Sequence, residues 1–346
     1  MSILRKILYP FSLLYGEVTS SRNRWYDKGV LKSTTFEIPV IVVGNLSVGG
    51  TGKTPQIEYL VRLLKDSYTV AILSRGYKRT SKGFLIANTT TKVAEIGDEP
   101  MQYFSKFKNV IVAVDADRVN GITQLNKLEN KPELVLLDDA FQHRKVEAGL
   151  NILLTSYNDL YIDDKVLPTG NLREKVTGAN RAQIIVITKC PNVLSEEEQF
   201  KISKKLKIEL HQTVFFSKIK YANSVENKTT TILTNNLPEY KILLVTGIAN
   251  TKPLENFLSS KGVDFQHLRF SDHHNFTQKD KHKIEQQFLE ITADKKLILT
   301  TEKDYVRSFS GVANYYFLPI ETTFITHQND FNTLIKRYVE QNTRNS

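Results

Sequence analysis

The chain has 346 residues, 40% of them apolar and 24% charged, with one cysteine and a formal net charge of +10. That is enough for about two folded domains with a core that needs no disulfide staple, and the single Cys190 excludes an intrachain disulfide, fits a reducing cytosol and reads as a small buried side chain. The charge asks for a negative partner, either a phosphorylated small molecule or an anionic membrane face; nucleic acid is set aside because no RNA-type aromatic motif, zinc-finger spacing or dense basic tail is present.

The N-terminal stretch MSILRKILYPFSLLYGEV puts Ile3, Ile7, Phe11 and Leu14 at helical spacing, and Leu4 and Leu8 widen the stripe. Arg5 and Lys6 lie beside it, and Arg22, Arg24 and Lys28 follow with Trp25 and Tyr26 among them. No apolar run approaches the roughly 20 residues that span a bilayer. Pro10 and the lack of a small-residue cleavage site argue against a cleaved signal peptide. Two readings stay open: an interfacial helix whose basic flank meets anionic lipid, or a helix packed on the protein's own core.

Phe36–Val43, FEIPVIVV, is an apolar run of strand length. A glycine loop follows, and then Ile57, Leu60, Val61 and Leu64 repeat as the buried face of a helix with Pro55 in its first turn. Further strands are expected at Thr69–Leu73, Val110–Val114, Leu134–Leu137, Asn151–Leu154 and Ile184–Thr188. The polar, Asn- and Thr-rich segment from Asn223 to Asn236 reads as a connection or short hairpin. Ile242–Val245, Phe265–Arg269, Leu297–Thr300 and Tyr315–Leu318 then read as a second, smaller sheet. The expected architecture is α/β, a layered sheet like that of P-loop NTPases with a smaller α/β lobe. Its parts are an N-terminal helix over 1–30, a P-loop domain over 31–225 and a C-terminal domain over 226–346.

The loop VGNLSVGGTGKTP lies between strand and helix, as a phosphate cradle requires. Gly49, Gly50, Thr51 and Gly52 would turn backbone N–H groups toward phosphate, Lys53 would reach the β- and γ-phosphates, and the Thr54 hydroxyl would ligate Mg²⁺. Ser47 stands where the usual pattern has its first glycine. Leu134–Asp139, LVLLDD, is an apolar strand ending in carboxylates, a pattern suited to the metal. In the run EIGDEP, Asp98 fits a helix N-cap and equally a carboxylate that takes a proton from a hydroxyl acceptor. In SDHHNF, paired histidines without a second Cys/His cluster argue against zinc. Arg75, Arg118 and Arg173 sit in short stretches that could hold a phosphorylated acceptor.

Taken together, VGNLSVGGTGKTP, SRGYKR, GDEP, LLDDAFQH, LPTGNLRE, VTGIANTKP, SDHHNF and TTEKD resemble, in this order, the tetraacyldisaccharide 4'-kinase (lipid A 4'-kinase) family, from the N-terminal helix to about residue 307. The resemblance implies transfer of the ATP γ-phosphate to the 4'-hydroxyl of a tetraacylated disaccharide 1-phosphate, with Mg²⁺, by a peripheral enzyme on the cytoplasmic face of the inner membrane. It implies phosphate binding by residues 49–54, a metal shell of Thr54 with Asp138 or Asp139 and with Glu99 as a second candidate, and Asp98 as base assisted by His273. Arg75, Arg118, His143 and Arg173 would line the acceptor site. Its partners would be the lipid A precursor and the membrane surface, without nucleic acid and without an obligate protein partner. Ala140 stands where the family's DDGFQH has glycine, a change of consequence only if that residue needs a positive φ. A rival reading is a membrane-associated partitioning-type ATPase switch. Such loops carry a lysine immediately before the paired glycines, where this chain has Val48. A kinase with a soluble acceptor would leave the N-terminal helix without a purpose.

Overall fold

Val40–Asn45 (β1) is buried along its whole length, because parallel strands with helices on both faces show side chains to water on neither. In the computed structural model, which describes Arg5 and residues 7–343, β1 lies near the middle of a nine-stranded sheet. The other strands are β2 (Val70–Ser74), β3 (Leu85–Ile86), β4 (Ile111–Val114), β5 (Leu134–Asp138), β6 (Leu150–Ser156), β7 (Ile184–Thr188), β8 (Thr213–Tyr221) and β15 (Ile320–Phe324). Their order is β15-β8-β7-β6-β1-β5-β2-β4-β3. Parallel pairing runs from β4 through to β8, with Val43 opposite Asp138 and Ile152, so the carboxyl ends of β1, β5 and β6 come out on one edge. Chemistry collects at that edge in open α/β sheets.

Helix α1 (Tyr9–Asp27) precedes β1, and α2 (Lys53–Leu64) follows it with Ile57, Leu60, Val61 and Leu64 fully buried. Helices α3 (Asp98–Lys106), α4 (Arg118–Leu125) and α5 (Glu196–Leu206) complete the crossovers that matter for the site.

A second unit, Lys220–Glu321, has its own six-stranded sheet in the order β10-β9-β14-β13-β11-β12. Its strands are β9 (Ser224–Glu226), β10 (Thr231–Leu233), β11 (Lys241–Thr246), β12 (Phe265–Arg269), β13 (Lys296–Thr301) and β14 (Tyr315–Leu318), with helices α6 (Lys252–Ser260) and α7 (Gln278–Glu290). The Asn- and Thr-rich segment is an antiparallel hairpin of β9 and β10.

Two boundaries differ from expectation. The division falls between Ile219 and Lys220 rather than at 225, and residues from Thr322 onward belong to the first unit rather than ending the second. The cause is packing. β15 joins the nine-stranded sheet beside β8, and α8 (Gln328–Thr343) buries Phe331, Ile335 and Val339. Phe331 stands 5.8 Å from the Tyr59 ring of α2 and 5.2 Å from that of Phe215, and the Tyr338 hydroxyl donates to the Val40 carbonyl at 3.1 Å. Ile3, Leu4 and Lys6 of the expected N-terminal stripe lie outside the described residues.

Candidate active site

The phosphate loop is assembled against the segment that carries Arg173. Val48 N–H donates to the Asn171 carbonyl at 2.8 Å, Arg173 N–H donates to the Leu46 carbonyl at 2.7 Å, and Ser47 bridges Leu172 in antiparallel fashion. Ser47 therefore sits in a buried, extended pairing, where serine serves as well as glycine. The left-handed turns fall on Gly49 (φ 119°) and Gly52 (φ 89°), immediately ahead of α2, where a Cβ would be strained. The first turn of α2 leaves N–H groups without helical partners beside the loop. Asn45 Nδ2 and Thr51 Oγ1 are buried donors without a partner, which the oxygens of a phosphorylated ligand would satisfy.

Lys53 Nζ donates to Asn45 Oδ1 at 3.4 Å and lies 3.7 Å from Asp139 Oδ1, while Thr54 is buried on the same turn. The two aspartates differ. Asp139 has φ 49°, so the left-handed residue of this turn is the aspartate and not Ala140; the alanine introduces no strain. Arg173 grips Asp139 with both guanidinium nitrogens, at 2.8 and 3.1 Å. Burial alone would raise the Asp139 carboxyl, but Lys53, Arg173 and Arg118 hold it below its usual range. Asp138 is buried at the end of β5 and accepts from the Ser74 hydroxyl at 3.2 Å. Burial lifts its pKa to about 6, with Asp139 and Glu99 adding to the rise against Lys53 and Arg118. Asp138 and Asp139 at the end of β5, with Thr54 on the phosphate-loop helix, offer oxygen donors of the kind a hard divalent cation takes when a nucleotide supplies the rest, and Glu99 acts on Asp138 electrostatically.

This crowding has a measurable cost. A carboxyl whose folded pKa is raised from 3.8 to about 6 makes folding less favourable as pH climbs through that interval, and the full cost is present above about pH 6. Asp138→Asn is therefore expected to stabilise the nucleotide-free protein by about 1–3 kcal/mol at pH 8, while abolishing metal-dependent activity. Thermal melts should show the gain shrinking toward pH 4; a loss of stability at pH 8 would contradict the assignment.

Asp98 is the first residue of α3, half-buried, and the cap position belongs to Gly97. Its neighbour Glu99 acts electrostatically on Asp138 and on the buried Tyr103, whose hydroxyl burial pushes well above 10. Arg118 is only 2% exposed and donates to the carbonyls of Asp115 (3.1 Å), Ala116 (3.2 Å) and Asp138 (3.4 Å). Burial brings it down to about 10, and Arg75, exposed at the end of β2, adds repulsion. His143 is held down to about 4 by burial and by Arg118, which leaves a neutral imidazole at pH 7, and its Nε2 is buried without a partner. Cys190 is buried, and burial pushes its thiol up to about 12, so it is no nucleophile.

In the second unit, the two histidines of SDHHNF part company. His274 lies between the rings of Phe270 (4.8 Å) and Phe276 (5.0 Å), with Nε2 3.0 Å from Asp280 Oδ2. It is a structural residue. His273 is exposed, with φ 55°, and its N–H donates to the Gly247 carbonyl at 3.0 Å. Asp304 of TTEKD, fully buried, accepts from Gly247 N–H (2.8 Å), the Thr301 hydroxyl (2.8 Å) and Arg307, and so braces the loop that holds His273. Among the described residues no group of three or more His, Cys, Asp and Glu is placed to hold a metal ion by itself.

Four contributors escaped the sequence reading. Asn45 ends β1; Gln142 donates to the Asn45 carbonyl at 2.9 Å and to Glu174 at 3.0 Å; Glu174 follows Arg173 in the chain; and Lys189, beyond β7, donates to the Gly50 carbonyl. Each had a signal, a polar residue closing an apolar run or lying inside a motif already noted, but a single sequence does not say which such residues turn inward.

Comparison with known proteins places these features in context. Residues 4–340 match the family model of tetraacyldisaccharide-1-P 4'-kinase. A tetraacyldisaccharide 4'-kinase from Flavobacterium johnsoniae is 53% identical over 344 residues, covering 99% of both chains, and one from Flavobacterium psychrophilum is 49% identical, covering 100% of both. A crystal structure of LpxK from Aquifex aeolicus in complex with ATP superposes with a TM-score of 0.79 at 32% identity, covering 97% of this chain and 100% of that one.

Proposed function

The chain belongs to the tetraacyldisaccharide-1-P 4'-kinase family, and from that premise we propose how its residues carry out the reaction. The protein is an ATP-dependent kinase that phosphorylates the 4'-hydroxyl of tetraacyldisaccharide 1-phosphate, a step of lipid A biosynthesis. The observation that carries the residue-level reading is the phosphate loop set against a crowded buried carboxylate: Lys53 on one side, Asp138, Asp139 and Glu99 on the other.

Backbone N–H groups of residues 49–54 and the Lys53 ammonium hold the nucleotide's phosphates. Thr54, Asp138, Asp139 and Glu99 would hold Mg²⁺, with Asp139 kept ionised and oriented by Arg173. When bound, the cation neutralises charge on the β- and γ-phosphates. Asp98 takes the proton of the 4'-hydroxyl as the hydroxyl oxygen bonds to Pγ; the Pγ–O bond to the β-phosphate breaks and ADP leaves. Arg75, Arg118, Arg173 and His143 surround the acceptor. Arg75, the exposed one, is suited to the acceptor's 1-phosphate, while Arg118 and Arg173 act from the wall.

Helix α1 supports a membrane-surface setting on the cytoplasmic face of the inner membrane. Its buried residues are Ser12 and Gly16, whereas Phe11, Leu14 and Val18 are 61%, 66% and 61% exposed. A helix that turns small residues inward and large apolar ones outward has an interfacial face. Among the described residues no helix is long and apolar enough to cross a membrane. Chelating divalent metal is expected to abolish transfer and Mg²⁺ to restore it; full turnover in excess chelator would refute the metal assignment.

A further inference from the structure

The inward face of α1 does more than dock. Ser12 Oγ lies 2.6 Å from Thr169 Oγ1 and accepts from Thr169 N–H at 2.9 Å. One turn on, the Tyr15 hydroxyl donates to the Arg173 carbonyl at 3.2 Å, and Arg22 donates to the Gln142 carbonyl at 3.0 Å. Asn23 Nδ2 donates to Glu174 Oε2 at 2.6 Å. Glu174 is 3% exposed, and its carboxylate also accepts from Arg181 (2.8 and 3.0 Å) and from Gln142 Nε2 (3.0 Å). Gln142 in turn donates to the Asn45 carbonyl at 2.9 Å and accepts from Arg173 at 3.4 Å, and Arg173 clamps Asp139. A continuous hydrogen-bonded path thus leads from the helix with the apolar outer face to the carboxylate beside Lys53.

We propose that Asn23 and Tyr15 are positioning residues for the Asp139 end of the phosphate site, acting through Glu174, Gln142 and Arg173, so that the helix that meets the lipid surface also sets the geometry in which Mg-ATP is held. Glu174 is the hub because a buried carboxylate must keep its donors. If Asn23 is removed, Glu174 recruits Gln142 more strongly, and the amide that now spans Asn45 and Arg173 turns away from them. Lost partners of this kind behind a metal site cost about 10–100-fold in metal affinity or activity. The inference rests on the reading of Asp139 as part of the metal shell.

The test compares the full chain with Asn23→Ala, Asn23→Gln, Tyr15→Phe and the triple variant Phe11→Ala, Leu14→Ala, Val18→Ala. Two quantities are read: sedimentation with vesicles of phosphatidylglycerol and phosphatidylethanolamine, and the Mg²⁺ concentration that half-saturates binding of a fluorescent ATP analogue. Asn23→Ala should raise that Mg²⁺ concentration by about 10-fold with vesicle binding unchanged. Asn23→Gln, which keeps an amide donor, should recover most of the loss, and Tyr15→Phe should show a smaller loss of the same kind. The triple variant should show the reverse pattern: weaker vesicle binding at wild-type Mg²⁺ dependence. Wild-type Mg²⁺ dependence in both Asn23→Ala and Tyr15→Phe would overturn the proposal, as would vesicle binding and Mg²⁺ dependence falling together in every variant. Should Asn23→Ala fail to fold, Tyr15→Phe decides alone: wild-type Mg²⁺ dependence in it overturns the proposal, and a raised Mg²⁺ requirement with unchanged vesicle binding upholds it. A wild-type protein that binds Mg-ATP but yields no phosphorylated lipid would end the kinase mechanism while leaving this readout intact.

Discussion

Asp98→Asn is expected to lower kcat by about 10²–10⁴-fold, the range a positioned general base contributes, and to leave the KM for ATP nearly unchanged. Two structural facts make the substitution clean. Asp98 is the first helical residue of α3, so the cap at Gly97 survives, and its half-buried side chain lets an amide of the same shape replace the carboxylate without a cavity. In the proposed mechanism the substitution removes the group that takes the hydroxyl proton. Steady-state kinetics on dispersed acceptor lipid checks this. Equal losses in kcat and in ATP affinity would mean that Asp98 holds nucleotide rather than abstracting a proton.

Lys53→Ala should cost about 10²–10³ in kcat, as removal of a preorganised charge at the transferring group does in other enzymes, and should also weaken ATP binding. Asp139 keeps its Arg173 clamp, so melting should move little. Lys53 is one of the groups that restrain the Asp138 pKa, so its removal should raise that carboxyl further, and on acidification Mg²⁺-dependent nucleotide binding should begin to fail at a higher pH than in the wild type. Lys53→Arg should restore the charge but not the fit, because a planar fork does not replace a compact ammonium in a loop shaped around it. A variant that kept wild-type turnover would remove Lys53 from the site.

The fold was readable where the physics is local. Buried parallel strands are runs of Val, Ile and Leu, and Ile184–Thr188 and Tyr315–Leu318 emerge with the ends expected. The loop, the Asp138–Asp139 pair and the order of motifs were likewise visible, because glycine turns and strand-end carboxylates are fixed by their position in the chain. The return of α8 to the first unit was not visible. Phe331, Ile335 and Val339 show a helical period, but a period tells which face is buried and not what covers it. The same limit hid Glu174 and Gln142, whose importance lies in partners far along the chain. It also left α1 undecided between its two readings, because a period does not say what covers each face: Ser12 and Gly16 pack inward while Phe11, Leu14 and Val18 are exposed.

The central claim is tested most directly by locating the phosphate on the product. The purified protein would be given Mg-ATP and detergent-dispersed tetraacyldisaccharide 1-phosphate, and the lipid analysed by phosphorus NMR with proton correlation. One new phosphomonoester coupled to the proton on the 4' carbon, formed together with an equal amount of ADP, is the expected result. ADP formed without phosphorylated lipid, or phosphate on another hydroxyl, would contradict it.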